Sequence, residues 1–226
     1  MKRMVLAGIA VVFLLFGITG VLQAALVNIG TATYEGGSYN LIYDADGPLG
    51  PITWLDYSNK SPSLEKQIVW AATLGDKLTV TLNPIYTTNI NWLIDWRLPH
   101  PGKTFKSDDN IITSEMGHLY YDELKLKSSF DQNYEEVSDD ELNASEFNNL
   151  QALPYYYGTN VDGFEELFFM EYGTQHSLPR SMTTGVLGIA VHSGQVSMVP
   201  APGTVWLFGF GVMGLVVFGW GKKNLV

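Results

Sequence analysis

At 226 residues the chain is long enough for one ordinary domain, and its lack of cysteine excludes disulfides, thiolate nucleophiles, zinc–thiolate sites and iron–sulfur clusters. The formal net charge is −10, unevenly placed: Lys2, Arg3, Lys222 and Lys223 sit at the ends, and the stretch between them carries nine Lys+Arg against 23 Asp+Glu, a net −14. Such acidity repels phosphate backbones and argues against a nucleic-acid partner.

Met1-Lys2-Arg3 is a basic start, Met4 to Ile18 is apolar, and Gly20 to Ala25 ends in small residues. That is the pattern of a secretory signal peptide over residues 1–24, cleaved after Ala24 or Ala25. An uncleaved anchor is the alternative, because Leu22 or Gln23 at the −3 position is not small. The remaining domain, residues 25–197, can bury a core of its own, and an aromatic content of 13% can fill it.

In chain order, Val27–Tyr34 and Tyr39–Tyr43 read as a hairpin around Glu35-Gly36-Gly37-Ser38. Asp44-Ala45-Asp46-Gly47-Pro48 follows. Its Asp-x-Asp-Gly spacing is that of the start of a calcium loop. However, Pro48 stands at the third ligand position and no Glu closes the loop, so a plain turn is the preferred reading. Ile52–Tyr57 reads as a buried strand. Ser61 as N-cap, Pro62 and Gly75 bracket a helix whose apolar face is Leu64, Ile68, Ala71 and Ala72, with Trp70 beside it. Leu78, Val80 and Leu82 alternate with Lys77, Thr79 and Thr81 as a half-buried strand. Thr113 or Ser114 caps a second helix with Met116, Leu119, Tyr120 and Leu124 on one face. Residues 125–150 are polar and acidic, with a capping box at Ser138 to Glu141 that can start a short helix through Phe147. Tyr155–Gly158, Glu166–Tyr172 and Val186–His192 read as closing strands. The order lacks regular β–α alternation and predicts an α+β fold with a mainly antiparallel sheet and two main helices.

The last stretch, residues 198–226, has three parts: Val199-Pro200-Ala201-Pro202, an apolar run from Val205 to Trp220, and Lys222-Lys223. Sixteen helical residues span roughly 24 Å, just short of a ~30 Å hydrocarbon core, and the lysines hold that end in the cytoplasm. A generic single-pass anchor is one reading. The combination also resembles the PEP-CTERM sorting signal of Gram-negative bacteria, with Val205-Trp206-Leu207-Phe208-Gly209 matching the usual start of its helix. Ala201 stands where that signal has Glu, and the cluster is Lys-Lys where Arg is common. The resemblance implies processing by an exosortase, with Val199, Pro200, Ala201 and Pro202 as sorting motif and Lys222 and Lys223 as basic stop. It implies a precursor held in the membrane by the C-terminal helix. The mature form would lie at the cell surface or in the exopolysaccharide matrix.

The domain itself resembles an uncharacterised bacterial surface domain grouped with C-type lectin-like folds. The motifs that carry this are Trp54-Leu55-Asp56, Trp70-Ala71-Ala72, Trp96-Arg97-Leu98-Pro99, Ser114-Glu115-Met116-Gly117-His118 and Ile189 to Val196. The resemblance implies a lectin-like architecture and a surface location, and no reaction. Arg97, between Trp96 and Leu98-Pro99, is either an anion or sugar contact or a fold-defining guanidinium, the latter preferred. Trp92, Trp96 and Tyr155 to Tyr157 can stack on sugars, but read mainly as core. Glu115 and His118 are spaced as a metal pair, but only one copy exists. His100, His118, His176 and His192 form no zinc motif, and no nucleophile elbow or phosphate loop is present. The expectation is therefore no catalytic residue, no metal and no cofactor. The protein reads as a non-enzymatic binding or adhesion module, with polysaccharide and exosortase as partners. A matrix protein without discrete ligand and an extracellular polysaccharide hydrolase are the alternatives.

Overall fold

The computed structural model describes residues 26–103 and 105–199. The expected signal segment, Pro200-Ala201-Pro202, the apolar run and Lys222-Lys223 lie outside them. No described helix is long and apolar enough to cross a membrane.

The first hairpin joins β1 (Val27–Tyr34) to β2 (Gly37–Asp44) through a two-residue turn, tighter than the four residues expected. Glu35 and Gly36 both take positive φ, 48° and 82°, which matches the twist of the flanking strands. β3 (Ile52–Lys60) pairs with β2 and runs three residues beyond the expected strand. Helix α1 (Leu64–Ala72) is capped by the Ser63 side chain, which accepts from the Lys66 amide; Ser61 is not the cap. Its buried positions are Leu64, Gln67, Trp70 and Ala71, while Ile68 is exposed. Gln67 is held inside by Asn59: its Oε1 accepts from Asn59 Nδ2 at 2.7 Å, and its Nε2 donates to the Asn59 carbonyl at 3.0 Å. Those two bonds remove the cost of burying an amide and turn the helix away from the face its apolar pattern favours.

β4 (Thr79–Leu82) lies at the sheet edge beside β1, with Val80 and Leu82 half-buried. β5 (Tyr86–Thr88), β6 (Trp96–Arg97) and β7 (Asp108–Asp109) are short. Helix α2 (Glu115–His118), capped by Ser114, passes directly into a π-helical turn over Leu119–Glu123. Helix α3 (Asp139–Leu142) has the expected capping box but stops at Leu142, short of Phe147. β8 (Pro154–Val161), β9 (Phe164–Phe169), β10 (Thr174–Pro179), β11 (Leu187–Ser193) and β12 (Val196–Met198) complete the described chain.

The large sheet runs β4-β1-β2-β3-β11-β8-β9-β10-β7, with β6 also on β11; β12 and β5 form a separate ribbon. Among the described residues, all pairings between these strands are antiparallel except β11 with β8, which meet in parallel at Leu187 and Tyr155. The protein is thus α+β with a mostly antiparallel sheet and few, short helices. Alternate residues serve two cores. Ile42, Trp54, Tyr155, Tyr157, Ile189 and Val191 face Met116, Leu119, Tyr120 and Phe147 on one side. Leu41, Leu55, Tyr156 and Ala190 face Leu64, Trp70 and Ala71 on the other. A sheet covered on both faces explains why three consecutive tyrosines, Tyr155 to Tyr157, are all buried.

Candidate functional site

Two distant pieces of chain meet at the end of β2. Asp44 is its last residue, paired with Ile52 of β3, and Asp46 lies in the loop that follows. Opposite them stand His118, ending α2, and Asp122 and Glu123 in the π turn. Ser114 starts that helix by accepting from the Gly117 amide at 3.0 Å. The Tyr157 hydroxyl sits between Ser114 Oγ at 3.0 Å and Gln175 Oε1 at 2.9 Å, which fixes the cap to the sheet. Helix α2 also presses on the preceding loop: a Cβ on Gly117 would meet the Ile111 carbonyl oxygen at 1.8 Å.

His118 Nε2 lies 3.6 Å from Asp44 Oδ1, 3.8 Å from Asp46 Oδ1 and 3.6 Å from Glu123 Oε1. One donor atom from each of the four residues falls within 4.8 Å of all the others. On the far side of the ring, Nδ1 is 3.2 Å from Asp122 Oδ2. Asp44 and His118 are buried, the Glu123 side chain is nearly so, and Asp46 is open to solvent. Neither Nε2 of His118 nor Oδ2 of Asp44 has a hydrogen-bond partner. The Asp44 carboxylate above all, then Glu123 and Asp122, push the His118 imidazole up to about 9, against burial that acts the other way. Burial, with Asp44 and Asp46 adding like charge, raises Glu123. One imidazole nitrogen and three carboxylate oxygens are a donor set for a cation.

The Trp96 to Pro99 motif lies elsewhere. Arg97 Nη1 and Nη2 donate to Glu115 Oε2 and Oε1, each at 2.7 Å, and Nη2 also donates to Ser193 Oγ at 3.2 Å. The His100 amide reaches the same Glu115 Oε2 at 2.7 Å. Trp96 packs edge-on against His192 with ring centroids 5.3 Å apart, and its Nε1 donates to the Trp92 carbonyl at 3.0 Å. Leu98 and Pro99 are buried, and the Pro99 carbonyl accepts from the Gly158 amide at 2.9 Å. The spacing of Glu115 and His118 therefore does not make a shared site: Glu115 serves Arg97 and His118 serves the acidic cluster. Of the sorting motif, Val199 alone is described; its amide donates to the Ile85 carbonyl at 2.8 Å, extending the β5–β12 ribbon.

An open groove of about 560 Å³ runs along Pro48, Leu49, Ile111 and Ile112, with Lys103 and Lys106 at its wall. Reasoning from sequence missed Asp122 and Glu123 and did not join Asp44 and Asp46 to His118. The spacing of His118 and Asp122, four apart on a helix, was the one local signal; the rest depends on two segments meeting in space. Compared with known protein families, curated proteins and solved structures, the chain matches none.

Proposed function

We propose that the chain is an exported surface or exopolysaccharide-matrix protein of a Gram-negative bacterium, processed at its C-terminus by an exosortase. In this reading residues 25–197 form a non-enzymatic, C-type lectin-like module that binds polysaccharide. The export and sorting part rests on the sequence alone: the signal-like start, and Val199-Pro200-Ala201-Pro202 ahead of an apolar run and Lys222-Lys223.

The binding part is carried by one observation, the open groove. Leu49, Ile111 and Ile112 offer apolar surface for sugar rings, and Lys103 and Lys106 put two cations on the wall of a chain whose net charge is −10. Paired lysines in an otherwise acidic protein favour an acidic polysaccharide over a neutral one. The test is binding of the purified chain to acidic and neutral exopolysaccharides at two salt concentrations. The acidic polymer should bind and weaken with salt, and the exposed double change Lys103→Glu with Lys106→Glu should lower affinity at least tenfold. Equal binding by that variant would sink the groove assignment, and cleavage of the polymer by the wild-type chain would sink the non-enzymatic reading.

A further inference from the structure

We propose that Asp44, Asp46, His118 and Glu123 bind a single first-row divalent cation, Zn²⁺ being the best match, through His118 Nε2 and one oxygen of each carboxylate. This site stands independently of the polysaccharide reading.

The geometry is that of a site in need of an ion. Bonds of roughly 2.0–2.1 Å in a tetrahedron separate donors by about 3.3 Å. The distances from Nε2 to the three carboxylates, 3.6, 3.8 and 3.6 Å, need only a slight closure. Two buried atoms lack a partner, and one of them, His118 Nε2, faces the carboxylates. Nε2 of His118 and Oδ2 of Asp44 are buried without a hydrogen bond, on residues only 7% and 1% exposed. Buried polar atoms seldom go unsatisfied in folded proteins, and a cation in the cluster would engage His118 Nε2 directly and neutralise Asp44, whose Oδ1 is the oxygen facing that nitrogen.

Asp122 supplies the outer support that metal-bound imidazoles have. Asp122, with its carboxylate 3.2 Å from Nδ1, can hold a proton there while a cation takes the place of the proton on Nε2, the nitrogen that faces the cluster. Asp122 is thus a positioning residue. The Asp46 side chain is 48% exposed, so the cluster has a path for ion entry past that residue.

The donor set selects the ion. A nitrogen with three carboxylate oxygens suits Zn²⁺ or Mn²⁺, whereas Ca²⁺ takes six to eight oxygens and Mg²⁺ keeps its waters. Four carboxylates surround one imidazole, so a dication removes repulsion that a single proton on His118 leaves in place. Lys125 acts on Glu123 as a further positive charge but is not part of the donor set.

The full chain, purified in mild detergent and stripped with EDTA, is titrated with ZnCl₂, MnCl₂ and CaCl₂. Metal content is read by mass spectrometry and stability by thermal melting. One Zn²⁺ per chain is expected, with the melting temperature raised by roughly 5–10 °C at about 100 times the dissociation constant. Asp44→Asn and His118→Asn should abolish uptake. Because those residues are buried, the deciding variant is Asp46→Asn, at an exposed position: it should melt like wild type in EDTA and bind Zn²⁺ at least tenfold more weakly. Asp122→Asn should weaken binding about tenfold without removing it. Absence of stoichiometric Zn²⁺ or Mn²⁺, binding of Ca²⁺ alone, or unchanged affinity in both Asp46→Asn and Glu123→Gln would overturn the proposal.

Discussion

Glu115 carries its charge into the interior with full compensation: Arg97 forks onto both oxygens at 2.7 Å and the His100 amide adds a third bond at 2.7 Å. His118, three residues on, is buried with carboxylates around it and no hydrogen bond to Nε2. The difference has a pH signature in protein freed of metal. His118 titrates at about 9 in the fold against an ordinary 6.5, because Asp44 and its neighbours favour the imidazolium. A raised imidazole contributes stability that is complete below pH 6.5 and is lost as pH rises towards 9, on the order of 3 kcal/mol. In EDTA the urea midpoint of the wild type should therefore fall between pH 6.5 and 9, while His118→Asn stays flat over that window. Parallel slopes for the two proteins would show that the loss comes from other groups.

The decisive element is the short run from Ser114 to Glu123. In an α-helix a residue five positions after His118 sits about 140° around the axis, away from it. Here the turn widens, and Leu124 donates its amide to the Leu119 carbonyl at 2.8 Å, an i to i+5 bond. Widening lets Asp122 and Glu123 flank the same ring. Gly117 allows the element to seat, since its missing Cβ is the space taken by the Ile111 carbonyl. Gly117→Ala should force α2 off the loop, cost about 1–3 kcal/mol in chemical denaturation and weaken metal uptake together with it. An unchanged midpoint would show that the loop yields freely. The cap and the apolar face of Met116, Leu119 and Tyr120 were legible from residue order, because both depend on neighbours within one turn. The π turn was not, since helical periodicity assumes the spacing that it breaks. For the same reason α1 presents Gln67 rather than Ile68 to the core: Asn59 satisfies the amide, and Asn59 belongs to β3.

Across the whole molecule, the sheet holds its two cores on opposite faces, and the loop that follows Asp44 at the end of β2 meets the π turn. The same loop continues into Pro48 and Leu49, one side of the groove, so the candidate ion and the candidate ligand share a structural neighbour. The described residues end on the β5–β12 ribbon at Val199, immediately before Pro200 in the sequence. Mass spectrometry of envelope-purified protein is expected to find a mature C-terminus near Val199 to Pro202, without the apolar run. An intact chain ending at Val226 would establish a permanent anchor in place of a processing signal.

By itself the sequence determined the α+β class, the existence of the first hairpin though not its two-residue turn, a half-buried strand ending at Leu82, the cap at Ser138 and, to within one residue, the cap at Ser114, all of which follow from periodicity and neighbouring residues. It also determined the charge balance and the chemistry excluded by the absence of cysteine. Only the tertiary structure decided what the polar residues do. Asp44 and His118 are 74 positions apart, and Arg97 and Glu115 are 18 apart. Which carboxylate meets which cation depends on how β2, β6 and α2 pack across the sheet, and local residue order carries no record of that distance.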